Sequence, residues 1–95
     1  DKSIEYYVDK IKNIILENNR WIEIFEIAEM LGVDRHKKLV ETDSNSTIAH
    51  LINRRLKKEV FLTKRINYDK DYSIVVAPSG FSTDTIQVSS YKNRK

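Results

Sequence analysis

The stretch Ser46-Thr47-Ile48-Ala49-His50-Leu51-Ile52-Asn53-Arg54-Arg55-Leu56-Lys57-Lys58 decides the fold. Wound at about 100° per residue, it gathers Ile48, Ala49, Leu51, Ile52 and Leu56 on one side of a helix from about Thr47 to Lys58. Ser46, Thr47, His50, Asn53, Arg54 and Lys57 gather on the other. One face suits burial, and the opposite face carries hydrogen-bonding groups. Arg55 falls on the apolar side, where its long stem lets the charged head reach the helix edge. Thr42-Asp43-Ser44-Asn45-Ser46 reads as a loop rich in capping residues, with the N-cap between Ser44 and Ser46.

Beyond Glu59 the chemistry changes to that of strands. Residues 60–66 and 72–77 are rich in β-branched and aromatic side chains, and the polar run Asn67-Tyr68-Asp69-Lys70-Asp71 separates them. That pattern predicts a β-hairpin, which Pro78-Ser79-Gly80 ends. Residues 79–95 form a Ser/Thr-rich segment with a strand-like stretch, Thr85-Ile86-Gln87-Val88, and a basic end at Lys92, Arg94 and Lys95. It is either a last strand or a disordered tail.

Ahead of the loop, Ile4, Tyr7, Val8, Ile11, Ile14 and Ile15 recur at helical spacing, with Ser3 as N-cap and Asn18-Asn19 as a stop near Glu17. Trp21-Ile22-Glu23-Ile24 alternates like a short strand. Residues 25–33 read as a second helix with Ile27, Ala28 and Leu31 inward and Gly32 at the left-handed C′ position. Glu23, Glu26 and Glu29 recur every three residues, and a solvated helix face is expected of them rather than a metal or acid–base cluster. Residues 34–40 suggest a further helical turn.

Length confines the chain to a single domain, taken as residues 1–78 followed by the 79–95 segment. Without cysteine it has neither disulfides nor thiolate metal sites, and its apolar runs are too short to span a bilayer. A cytosolic protein is expected, and a start at Asp1 rather than Met suits a domain of something longer. Residues 1–43 carry seven Lys/Arg against ten Asp/Glu, net −3, while residues 44–95 carry ten against four, net +6. The overall +3 thus conceals a basic C-terminal half suited to a polyanion.

The order helix, short strand, helix, helix, hairpin predicts an α+β fold of the winged helix-turn-helix type, with three helices and a hairpin wing. B-DNA's major groove is about 12 Å wide and admits one helix. A recognition helix that enters N-terminus first would bring Ser46, Thr47, His50, Asn53 and Arg54 to base edges, with Lys57 and Lys58 against phosphates. Asn pairs with adenine and Arg with guanine through two hydrogen bonds each. Lys64 and Arg65 in the wing, with Lys70 in its turn, would reach the adjacent backbone or minor groove. Tyr68 either bonds a phosphate or simply closes the hairpin, and Arg35, Lys37 and Lys38 are candidates to grip the flanking strand. His50 is either a pH-sensitive phosphate contact or an ordinary surface imidazole.

No Gly-rich phosphate loop and no Ser/His/Asp grouping argues for catalysis, and His36 and His50 lack matching carboxylates for a metal, so neither enzyme activity nor a cofactor is expected of this domain. The segment from Phe25 to Val33, the stretch from Ser46 to Lys58 and the basic hairpin together resemble the C-terminal winged-helix domain of phage- and island-encoded replicative helicases of the virulence-associated-E kind. The resemblance implies origin recognition on double-stranded DNA within a larger replication initiator, whose parent chain could be a helicase. A stand-alone dimeric transcription regulator paired through the first helix, and a winged helix used for protein contact through its glutamates and Tyr6-Tyr7, are the alternatives. More than a dozen residues separate Gly32 from the third helix, where the simplest helix-turn-helix has three or four.

Overall fold

The computed structural model describes residues 2–59, 61–68 and 71–86, with the backbone alone at 62, 64, 67, 68, 71 and 72. The fold is α+β. Helix α1 (Ile4–Asn18), strand β1 (Ile22–Glu23) and helix α2 (Ile24–Leu31) come first. A third helix begins as α3 (Ile48–Leu51) and continues in right-handed helical conformation as a π-helical turn (Ile52–Leu56). Strands β2 (Phe61–Tyr68) and β3 (Asp71–Pro78) follow, then a 3₁₀ turn (Thr83–Thr85). The three strands form one antiparallel sheet in the order β1-β3-β2.

The two early helices start and stop where their residues dictate. Ser3 Oγ accepts the Tyr6 N–H at 3.1 Å, and Asn19 ends α1 in the left-handed region with its N–H on the Ile15 carbonyl. At the start of α2 the Glu23 N–H donates to Glu26 Oε1 at 2.9 Å, so the helix opens at Ile24, one residue before the expected Phe25. At its end Gly32 takes φ 73°, its N–H meets the Glu29 carbonyl at 3.1 Å, and the Val33 N–H reaches back to Ala28 at 3.0 Å. This is the left-handed stop expected of Gly32.

The helices and one face of the sheet share a core. Val8, Ile11 and Ile15 of α1, Ile24, Ile27 and Ala28 of α2, and Ile48, Leu51, Ile52 and Leu56 of the third helix meet Ile22, Phe61 and Val76. The other sheet face is covered too: Val75 and Ala77 lie against Trp21, with Ile66, Phe81 and Ile86 half-buried beside them. Trp21 Nε1 donates to the Ser82 carbonyl at 2.9 Å and ties this segment down. Packing therefore continues past residue 78 as far as Ile86, and Thr85, expected in a strand, closes the 3₁₀ turn instead. The continuous run Ile74-Val75-Val76-Ala77 makes sense as a central strand covered on both sides. Gln87, Val88 and the basic end at Lys92, Arg94 and Lys95 lie outside the described residues.

One expectation is overturned here. Glu23 is only 1% exposed, because it belongs to β1 and pairs with Val75 of the central strand rather than standing on a wet helix face. Ser73 Oγ donates to Glu23 Oε1, and Oε2 is buried without a hydrogen-bond partner among the described residues. Glu26 is half-buried between the Glu23 N–H and Arg20, at 3.3 Å from the latter. Glu29 alone is exposed as expected. A buried carboxyl group that loses its side-chain donor is left less well satisfied, so Ser73→Ala should lower unfolding free energy by about 1–3 kcal/mol, read as a fall in the urea midpoint at unchanged slope.

Candidate nucleic-acid interface

The third helix is two-sided. Ile48, Leu51, Ile52 and Leu56 are at most 1% exposed, while His50, Asn53, Arg54, Lys57 and Lys58 are exposed. Burying each of the four is worth about 1.5–3 kcal/mol. Together that rivals the whole net stability of a small domain, so the helix cannot turn its polar side inward. Ala49, expected among the buried residues, is half-buried.

The second half of the helix departs from an α-helix. The Lys57 N–H meets the Ile52 carbonyl at 2.7 Å, an i→i+5 bond that closes a π turn. The wider turn keeps Leu56 in the core and carries Arg55 to the edge, where it meets Glu5 of α1 at 2.5 Å. Arg55 was expected to snorkel, and Glu5 is what it reaches. This carboxylate, by hydrogen bond and charge, pushes the already high Arg55 pKa further up, so the cation is permanent at any working pH. Lys12 of α1 stands 3.6 Å from Glu59 and braces the same flank. These two pairs orient α1 and the third helix, and both are solvent-exposed, so they do little for stability.

The N-cap of the helix is Thr47, one residue beyond the span Ser44 to Ser46 in which it was expected. Thr47 Oγ1 accepts the His50 N–H at 3.2 Å and lies 2.9 Å from His50 Nδ1. The cap thus holds the imidazole at the start of the helix with Nε2 unpartnered among the described residues. The Asn53 side chain likewise has no hydrogen bond among the described residues, nor do Lys57 and Lys58 make an ion pair there.

Ser46 was expected on the outer face and is fully buried. Its Oγ accepts the Val40 N–H at 3.1 Å and stands 3.0 Å from the Val40 carbonyl and 2.7 Å from that of Asp43, and its own carbonyl takes the Leu39 N–H at 2.9 Å. A serine hydroxyl can donate one bond and accept two, and here the connection between α2 and α3 consumes that capacity. It cannot touch a ligand. The expected helical turn over residues 34–40 is replaced by a chain of turns, among them Asp34 Oδ1 accepting the His36 N–H and Asp43 Oδ1 accepting the Asn45 N–H. Side-chain bonds of this kind compete with helix formation.

Arg54 is exposed but not free. Its Nη1 donates to the Asn45 carbonyl at 3.0 Å and stands 3.5 Å from Asp43 Oδ2. The guanidinium has five donors, so others remain, yet part of its charge is already met by Asp43. Asp43 and Asn45 are the residues that sequence reasoning missed. The Asx-turn pattern Asp43-Ser44-Asn45 was the signal that a carboxylate and a bare carbonyl would sit beside the helix start.

In the hairpin, β2 runs to Tyr68 and β3 starts at Asp71, so the strands are longer and the turn shorter than expected. Lys64 pairs with Val75 and Arg65 with Ile74, well back from the tip. Arg65 is exposed, whereas the side chains of Lys64 and Tyr68, and all of Lys70, lie outside what is described. Among the flanking cations, Lys38 is bound to Glu41, at 3.4 Å from its carboxylate and 3.2 Å from its carbonyl, and Lys37 is exposed.

Comparison with family models, curated proteins and solved structures finds no match for the chain. Among the described residues no group of three His, Cys, Asp or Glu could hold a metal ion, and no helix is long and apolar enough to cross a membrane. What the site offers is an ordered row of amide, imidazole and ammonium groups on a rigid helix. Since Ser46 holds the approach to that helix, Ser46→Ala should cost about 1–3 kcal/mol in chemical denaturation while leaving α1 and the sheet assembled in the folded fraction.

Proposed function

We propose that this chain is a double-stranded-DNA-binding module of the winged helix-turn-helix kind, with the third helix as its recognition helix and the β2–β3 hairpin as its wing. The arrangement of three helices and a small antiparallel sheet is compatible with that fold. The observation that carries the proposal is the division of the third helix, four apolar side chains inward and His50, Asn53, Lys57 and Lys58 outward. A basic C-terminal half supports a polyanionic partner. The resemblance to replication initiators of mobile elements adds origin recognition as the proposed setting, with the domain itself binding rather than catalysing.

In this reading Asn53 is the base reader, through two hydrogen bonds to adenine, and His50 lies ahead of it near the helix start. Lys57 and Lys58 take phosphates, and Arg65 supplies a backbone contact from the wing. Arg54 is partly held by Asn45 and Asp43, so its contribution is smaller than its position on the helix suggests. Ser46 has no part, and Thr47 acts by fixing His50.

Titrating fluorescent duplexes at several salt concentrations tests this. Asn53→Ala should cost about 1–3 kcal/mol on a selected sequence and relax preference at one base position. Lys57→Ala and Lys58→Ala should each weaken all sequences alike and lower the salt slope by about one. Asp43→Asn keeps the Oδ1 that accepts the Asn45 N–H but removes the anion beside Arg54. It should tighten duplex binding by about two- to fivefold, the worth of one exposed charge contact. Affinity unmoved by all four changes would refute the choice of helix.

A further inference from the structure

Among the described residues three large apolar side chains are exposed, Tyr6, Leu16 and Met30, and two of them line one groove between α1 and α2. The same groove is lined by Lys10, Asn13, Ile14 and Glu17. Tyr6 is held outward at its mouth, its ring edge-on to Tyr7 at 5.3 Å and flanked by Lys2 and Lys10 ammonium groups at 4.9 and 5.6 Å. Neither Lys10 nor Glu17 has an ion-pair partner among the described residues, and no residue of the third helix borders the groove.

The charges decide what fits. Lys10 and Glu17 are seven residues apart, two helical turns or about 10.5 Å along one face of α1. A nucleic acid would meet a carboxylate here, and a strongly charged partner of either sign would be half repelled. A second α1 running antiparallel meets both needs at once. A two-fold axis between Asn13 and Ile14 sets Lys10 of each copy opposite Glu17 of the other. The same axis carries Tyr6 of one copy about 4.5 Å beyond Asn18, the last residue of the other copy's α1, whose Nδ2 lies 4.0 Å from Met30 Sδ. Sulfur and aromatic ring attract at such an edge. A single operation therefore pairs both charges and brings together the two exposed apolar side chains of the groove, which is the self-complementarity an isologous interface requires.

We propose that this groove is the interface of a two-fold symmetric dimer, paired through antiparallel α1 helices. It leaves the third helix of each copy uncovered, and it forms without DNA.

Sedimentation of the whole chain from low micromolar to millimolar concentration tests it. The wild type should pass from monomer to dimer. Lys10→Glu and Glu17→Lys, both at exposed positions, should each weaken dimerisation about tenfold by placing like charges across the axis twice. The double exchange, Lys10→Glu with Glu17→Lys, should restore the wild-type constant to within about threefold. Circular dichroism verifies that each variant is folded. A monomer at every concentration overturns the proposal, as does a dimer indifferent to the single changes or not rescued by the double. Loss of duplex binding in Asn53→Ala with the dimer intact would leave the two proposals separately judged.

Discussion

Ile48, Leu51, Ile52 and Leu56 must all leave water along one short helix, and the remaining structure is arranged around that requirement. An ideal α-helix would also turn Arg55 toward the core, where an unpaired guanidinium is very costly. The π turn over Ile52–Leu56 resolves the conflict by slipping the backbone bond from i→i+4 to i→i+5. Leu56 stays buried, and Arg55 finds Glu5. The orientation of His50, Asn53, Lys57 and Lys58 is the by-product: they point to solvent because their neighbours cannot.

Everything leading to the helix is then a problem of satisfying backbone groups without regular structure. The connection between α2 and α3 solves it through Ser46, whose main chain and hydroxyl serve Leu39, Val40 and Asp43. Arg54 clips the same connection to the helix through Asn45 and Asp43. The face that meets solvent is thus pre-organised at its start by a cap and a cation that are both already engaged. Freedom to meet a ligand increases along the helix toward Asn53, Lys57 and Lys58.

The elements were legible where one physical force dominates. Periodic apolar residues placed α1, α2 and the third helix, Ser3 and Gly32 marked two of their ends, and the β-branched run through Ile74 to Ala77 marked a strand of the hairpin. Legibility failed where a residue had two plausible partners. Glu23 looked like one of three wet glutamates, since nothing local shows that Val75 and Ser73 arrive from fifty residues away to cover it. Ser46 looked like a surface cap, because its hydrogen bonds run backward to Val40 rather than forward into the helix. Residues 81–86 looked like part of a last strand or a tail, and only Trp21 on the far side of the sheet explains why they pack. Of the polar face, His50, Asn53, Arg54 and Lys57 were correctly read as outward, while Thr47 is half-buried as the cap and Arg54's engagement by Asp43 is the part that helical spacing cannot reveal.

Backbone amide shifts of the isotope-labelled chain, followed by NMR while a short duplex is added, bear most directly on the whole account. Shifts concentrated between His50 and Lys58, largest near Asn53, with the Tyr6–Met30 groove unmoved, are what the account requires. Shifts confined to that groove or to the back of the sheet, with the third helix silent, would contradict it.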